Sequence, residues 1–106
     1  MSSDETMARQ LTGRLVAEFQ PIRVLWFGSR ANAKGRPNSD WDLLLVADSV
    51  ESQFARMVRA QRVTADLQVA ADILVFTPAE YERLRGWKSS VVWSAEQTGK
   101  VLHAVV

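Results

Sequence analysis

The stretch Phe27–Val46, FGSRANAKGRPNSDWDLLLV, decides how the rest of the chain is read. It leaves one apolar run through Gly28 and Ser29, crosses a polar loop, and enters a second apolar run through Asp40 and Asp42. Folding alone gives no reason to set two like charges at the mouth of a strand otherwise suited to burial. Side chains at i and i+2 of a strand leave the same face. Asp40 and Asp42 are therefore expected to point together, with Trp41 and Leu43 turned the other way into apolar surroundings.

Working outward, the segment before this stretch reads as a helix. Ser2 and Glu5 have capping-box spacing. Met7, Leu11, Leu15 and Phe19 recur every four residues, with Ala8 and Val16 beside them, and Pro21 stops the run. Ile22–Phe27 reads as a short buried strand ended by Gly28, and residues 29–39 as a loop whose first turn can be helical. Trp41–Val46 is a second strand. Asp48 and Glu51 offer another capping box, with Phe54, Met57, Val58 and Gln61 as the apolar face of the helix that follows. Arg56, Arg59 and Arg62 lie on a different face, most simply a solvated one.

A third strand, Val69–Phe76, is interrupted by Asp72. Thr77, Pro78 and Glu80 then supply an N-cap, a proline at the first helical position and a capping glutamate. That helix should end near Gly86. Ser90–Gln97 reads as a last helix closed by Gly99, and Val101–Val106 as a final strand. Helices and strands alternating this way predict an α/β (α+β) fold, a small mixed sheet with helices packed on it, in a single domain over residues 1–106. Trp26, Trp41 and Trp93 are expected in the core, Tyr81 as half-buried packing, and Trp87 as the less settled tryptophan, a candidate partner contact. His103, the one histidine, sits in an apolar tail strand and is not read as a base or ligand.

Composition bounds the chemistry. The chain has 106 residues, 13 basic against 12 acidic, for a net charge of +1. No broad basic field exists to hold a polyanion, which argues against direct nucleic-acid binding. Cysteine is absent, which excludes disulfides and thiolate metal sites. No apolar run reaches membrane-spanning length and the polar N-terminus lacks a signal-peptide core, so a cytoplasmic, bacterial-type protein is expected.

If the second and third strands are neighbours, Asp40, Asp42 and Asp72 converge on one patch. Such a patch is costly unless something positive fills it. A hard divalent cation with oxygen ligands is the natural occupant, and magnesium takes one or two carboxylates plus substrate phosphates. Two such ions would clamp an in-line phosphoryl displacement. Gly28 lets backbone approach a phosphate closely, a following helical turn offers free N–H groups, and Ser29 can add a hydrogen bond. Arg30, Lys34 and Arg36 can add charge.

An apolar residue, Gly-Ser, about ten residues, then Asp-x-Asp in an apolar strand resembles the signature of the DNA-polymerase-beta-type nucleotidyltransferase superfamily. The stretch is most similar to its minimal nucleotidyltransferase (MNT) family. ADILVFTPAE resembles that group's third-carboxylate strand, and SAEQTGKVLH its closing helix-turn-strand. The resemblance implies that Gly28, Ser29 and Arg30 meet nucleotide phosphates. It also implies that Asp40 and Asp42 bind two magnesium ions, and that Asp72 shares one and helps deprotonate the attacking hydroxyl. One position departs from the pattern: Ala33 replaces a second glycine, which would reshape the nucleotide pocket.

The same resemblance implies a partner. MNT proteins are typically encoded beside a helical HEPN-type ribonuclease toxin and act as antitoxins, transferring AMP from ATP to a tyrosine hydroxyl of the toxin. The expected activity is thus magnesium-dependent nucleotidyl transfer to a partner protein. Two alternatives stand beside it: a non-catalytic binding module that neutralises by occlusion, and a transferase acting on a small aminoglycoside-like acceptor.

Overall fold

The computed structural model describes residues 3–31 and 40–105. Helix α1 (Ser3–Phe19) buries Ala8, Leu11, Leu15 and Phe19, the four-residue recurrence read from the sequence. It stops where Gln20 turns to φ 48° and donates its N–H to Val16 O at 2.9 Å. A left-handed residue followed by proline is a common helix ending, because proline cannot extend the ladder. The expected cap, Ser2, lies outside the described residues.

Four strands follow: β1 (Arg23–Phe27), β2 (Trp41–Val46), β3 (Ala71–Phe76) and β4 (Lys100–Ala104). They form one mixed sheet in the order β3-β2-β1-β4. β1 runs antiparallel to β2 and β4, while β2 and β3 are parallel. A parallel pair needs a long crossover, and helix α3 (Gln53–Thr64) provides it. β3 starts later than the expected Val69. A single 3-10 turn at Ala65–Leu67 and a left-handed Gln68 at φ 56° keep Val69 in the connection. The tail strand starts at Lys100 and ends at Ala104, short of the expected Val106, which lies outside the described residues.

Strand alternation divides the interior in two. Val24, Trp26, Trp41, Leu43, Leu45, Ile73 and Val75 face α1 and α3. Leu25, Leu44, Val46 and Phe76 face Tyr81 of α4 (Pro78–Arg85) and Val92 and Ala95 of α5 (Val91–Thr98). α4 starts at the residue expected to cap it, Thr77, and α5 is capped by Ser90, the first residue of the expected last helix. The Thr77 hydroxyl accepts from Glu80 N at 3.2 Å while Glu80 accepts from Thr77 N at 2.8 Å, and Ser90 Oγ accepts from Trp93 N at 3.1 Å. Tyr81 is buried rather than half-buried. Its hydroxyl donates to Glu96, and burial together with that carboxylate pushes the phenol up to about 12. Trp93 is half-buried and Trp87 is 66% exposed.

α3 departs most from expectation. Its N-cap is Ser52, whose hydroxyl accepts from Ala55 N at 3.1 Å, not Asp48. Phe54 is 76% exposed and Val58 39%, whereas the buried residues are Arg56, Ala60 and Thr64. Arg56 crosses beneath the helix to join three elements. Its Nε donates to Glu51 O at 3.1 Å, and its Nη1 donates to Val75 O at 2.9 Å and Glu80 Oε1 at 2.8 Å. A buried guanidinium is tolerated when its donors are satisfied and its charge is paired. Glu80 is held below its ordinary value, chiefly by Arg56. Arg59 lies 4.3 Å from the centroid of the Phe19 ring and pairs with Glu18 at 3.1 Å and with Glu51. Of the three arginines only Arg62 sits on a solvated face.

Candidate functional site

The parallel register makes Asp42 of β2 and Asp72 of β3 Cα partners. Leu44 and Leu74, two residues on, belong to the face covered by α4 and α5. Alternation therefore sends both aspartates out on that face, at the end of the sheet that these helices leave open. Asp40 precedes β2 and is exposed, Asp42 is half-buried, and Asp72 is exposed. Burial, then the charge of Asp72, then that of Asp40, push the Asp42 carboxyl above its ordinary value. The charges of Asp40 and Asp72 thus both reach Asp42. Among the described residues, no group of three or more His, Cys, Asp and Glu side chains stands at metal-ligand spacing.

On the other side of β2, Asp42 is the Cα partner of Phe27, so the turn at Gly28 lies beside it. Gly28 opens α2 (Gly28–Ala31) with φ 84°. A Cβ at that position would lie 3.1 Å from Asp42 Cγ and closer still to its Oδ2. Glycine is required twice over, for its backbone angle and for the space that the Asp42 carboxylate takes. Ser29 and Arg30 continue the helical turn, which the sequence allowed for. Their side chains lie outside the described residues, as do Ala33, Lys34 and Arg36.

The opposite sheet face carries a feature that the sequence reading placed only in the core. Trp26 and Trp41 stack with centroids 4.3 Å apart and planes 17° apart. Trp26 lies two residues before Gly28, and Trp41 lies between Asp40 and Asp42. The stack ties the strand that ends at the glycine turn to the strand that starts with the aspartates. Lys100 Nζ lies 5.4 Å from the Trp26 ring centroid. The available signal was alternation: residues flanking Asp42 must face inward, and two large rings on adjacent strands must meet.

The sequence of residues 8–97 matches the family model described as nucleotidyltransferase domain. No curated protein matches the chain. Solved structures share its fold. One is a toxin-antitoxin with AMP-PNP, 22% identical over 92% of this chain and 73% of the other, with a TM-score of 0.64. A second is the toxin-antitoxin MntA-HepT, 20% identical over 95% of this chain and 73% of the other, with a TM-score of 0.63. A third is a tri-AMPylated HEPN toxin of Shewanella oneidensis in complex with MNT antitoxin, 17% identical over 95% of this chain and 72% of the other, with a TM-score of 0.60. Among the described residues, no helix is long and apolar enough to cross a membrane.

Proposed function

Because the chain belongs to the nucleotidyltransferase domain family, we propose that it transfers AMP from ATP to a hydroxyl of a partner protein, as the antitoxin of a HEPN-type toxin. The observation that carries this reading is the side-by-side placement of Asp42 and Asp72, with Asp40 adding its charge and the Gly28 turn adjoining. The MNT antitoxin of the Shewanella oneidensis complex, found with an AMPylated toxin, supports the choice of acceptor.

The donor set fits magnesium: carboxylate oxygens only, with Asp42 disfavoured as a free anion by burial and then by its two neighbours. Asp40, Asp42 and Asp72 would hold it. Once bound, magnesium supplies neutralisation of the triphosphate and of the departing pyrophosphate. Gly28, without a side chain, gives the nucleotide phosphates room, and Ser29 and Arg30 contact them. Asp72 receives the proton of the partner hydroxyl. The hydroxyl oxygen bonds to the α-phosphorus as the α–β bridging bond breaks and pyrophosphate leaves. Positioning and electrostatics carry most of the acceleration.

The test incubates the protein with ATP labelled at the α-phosphate, magnesium and the product of the neighbouring gene, expected to be a HEPN-type protein. Label is expected on the HEPN-type protein. Asp42→Asn should reduce transfer at least ~10³-fold, about 4 kcal/mol of barrier. Absence of label with correctly folded protein would sink the catalytic reading. Toxin neutralisation that survives Asp42→Asn would favour the occluding module instead.

A further inference from the structure

The fully buried residues of helix α3 are Arg56, Ala60 and Thr64, of which only Ala60 is apolar, and Val63 packs half-buried against the core. The helix's outer line, Phe54, Val58 and Arg62 at successive four-residue steps, is led by Val50 just before the helix. Val50 is 105% exposed, Phe54 76% and Val58 39%. A groove of about 330 Å³ follows this line, bordered by Glu51, Phe54, Ala55, Val58, Arg59 and Arg62. A helix that only had to close the α1 side of the core would place Phe54 and Val58 inward and leave the arginines in water.

The charges along the groove are unequal. Arg59 is committed to Glu18, Glu51 and the Phe19 ring. Arg62 is exposed and forms no ion pair with any of the described residues. An apolar stripe that ends in a free guanidinium is complementary to an amphipathic helix with apolar residues at i, i+4 and i+7 and a carboxylate beyond them. We infer that the outer face of α3 docks such a helix of the acceptor protein. This rests on the reading that the acceptor is a protein. The docking face lies on the α1–α3 side of the sheet, whereas Asp42 and Asp72 open on the α4–α5 side. The partner is held on one side and its hydroxyl is presented on the other.

The experiment measures affinity for the HEPN-type protein encoded beside the chain, by calorimetry without nucleotide. It compares the unaltered protein with Phe54→Asp, Val58→Asp and Arg62→Glu, and with Trp87→Ala at the other large exposed aromatic. Circular dichroism confirms that each variant is folded. The expected result is at least tenfold weaker binding for each α3 variant and unchanged binding for Trp87→Ala. Equal affinity for all α3 variants overturns the inference while leaving the catalytic reading untouched. Loss only in Trp87→Ala overturns it too, as does a self-associating chain whose dimer dissociates on Phe54→Asp without any toxin contact at α3. Binding that depends on α3 without AMP transfer keeps α3 as the partner's docking face and sinks the catalytic reading, and with it the partner's role as acceptor. Failure of the unaltered protein to bind overturns both.

Discussion

The two ends of strand β3 treat charge in opposite ways. At its start, Asp72 stands beside Asp42 with Asp40 close by: like charges that form no ion pair among the described residues. At its end, Val75 O, Glu80 and Arg56 form a satisfied knot in which every charge has an opposite. The first arrangement costs stability and is useful only if a cation relieves it. The second is neutral as a pair and fixes the geometry of three elements. The contrast teaches that one short strand can hold strain at the site because its other end is anchored.

The largest way to break the contrast is to remove the anchor. Arg56→Ala leaves Glu80 and Val75 O without their partner and should lower stability by about 3–5 kcal/mol, read by urea unfolding. A loss below 1 kcal/mol would show that the knot is dispensable. Next, Gly28→Ala strikes the site end. The left-handed φ and the clash with the Asp42 carboxylate should cost about 1–3 kcal/mol and displace Asp42. Thermal unfolding reads the first effect, and loss of any magnesium-plus-ATP stabilisation reads the second. A variant as stable and as responsive as the unaltered protein would argue against the close approach.

The smallest effect sharpens the comparison by sign. Asp42 is raised in the fold, so its penalty is absent below the ordinary carboxylate value and appears as pH rises through that value to the folded one. Asp42→Asn should therefore match the unaltered metal-free protein in acid and exceed it slightly at neutral pH. Glu80 runs the other way. Its contribution is present above the ordinary carboxylate value and lost as pH falls through its lowered one. Stability profiles of Asp42→Asn and Glu80→Gln that bend in the same direction would contradict this account.

Most of the site end could be read in the sequence because its signals are local. Gly28 two residues after Trp26, Asp40 and Asp42 around Trp41, and Asp72 inside an apolar run each announce themselves within a few positions. The capping pairs Thr77–Glu80 and Ser90–Trp93 are local too, and both helices begin where expected. The knot was not legible. Arg56 meets Glu80 across 24 positions and a backbone carbonyl across 19, so periodicity alone sent it to solvent. The same rule sent Phe54 and Val58 inward. Tyr81 likewise gains its burial and its Glu96 partner only from the way α4 and α5 pack. The start of β3 was misjudged because Gln68 adopts a left-handed turn without being glycine.

The crossover between β2 and β3 has a consequence for how the chain acquires its chemistry. Asp42 and Asp72 sit 30 positions apart and meet only when an entire helix has been laid between two strands that run the same way. Pairing of that kind is slow, because a long loop must close before any ladder rewards it. The carboxylate pair is therefore a late event in folding. If the three aspartates hold magnesium as proposed, a half-collapsed chain has no grip on the ion, and affinity for it would report that the molecule is finished.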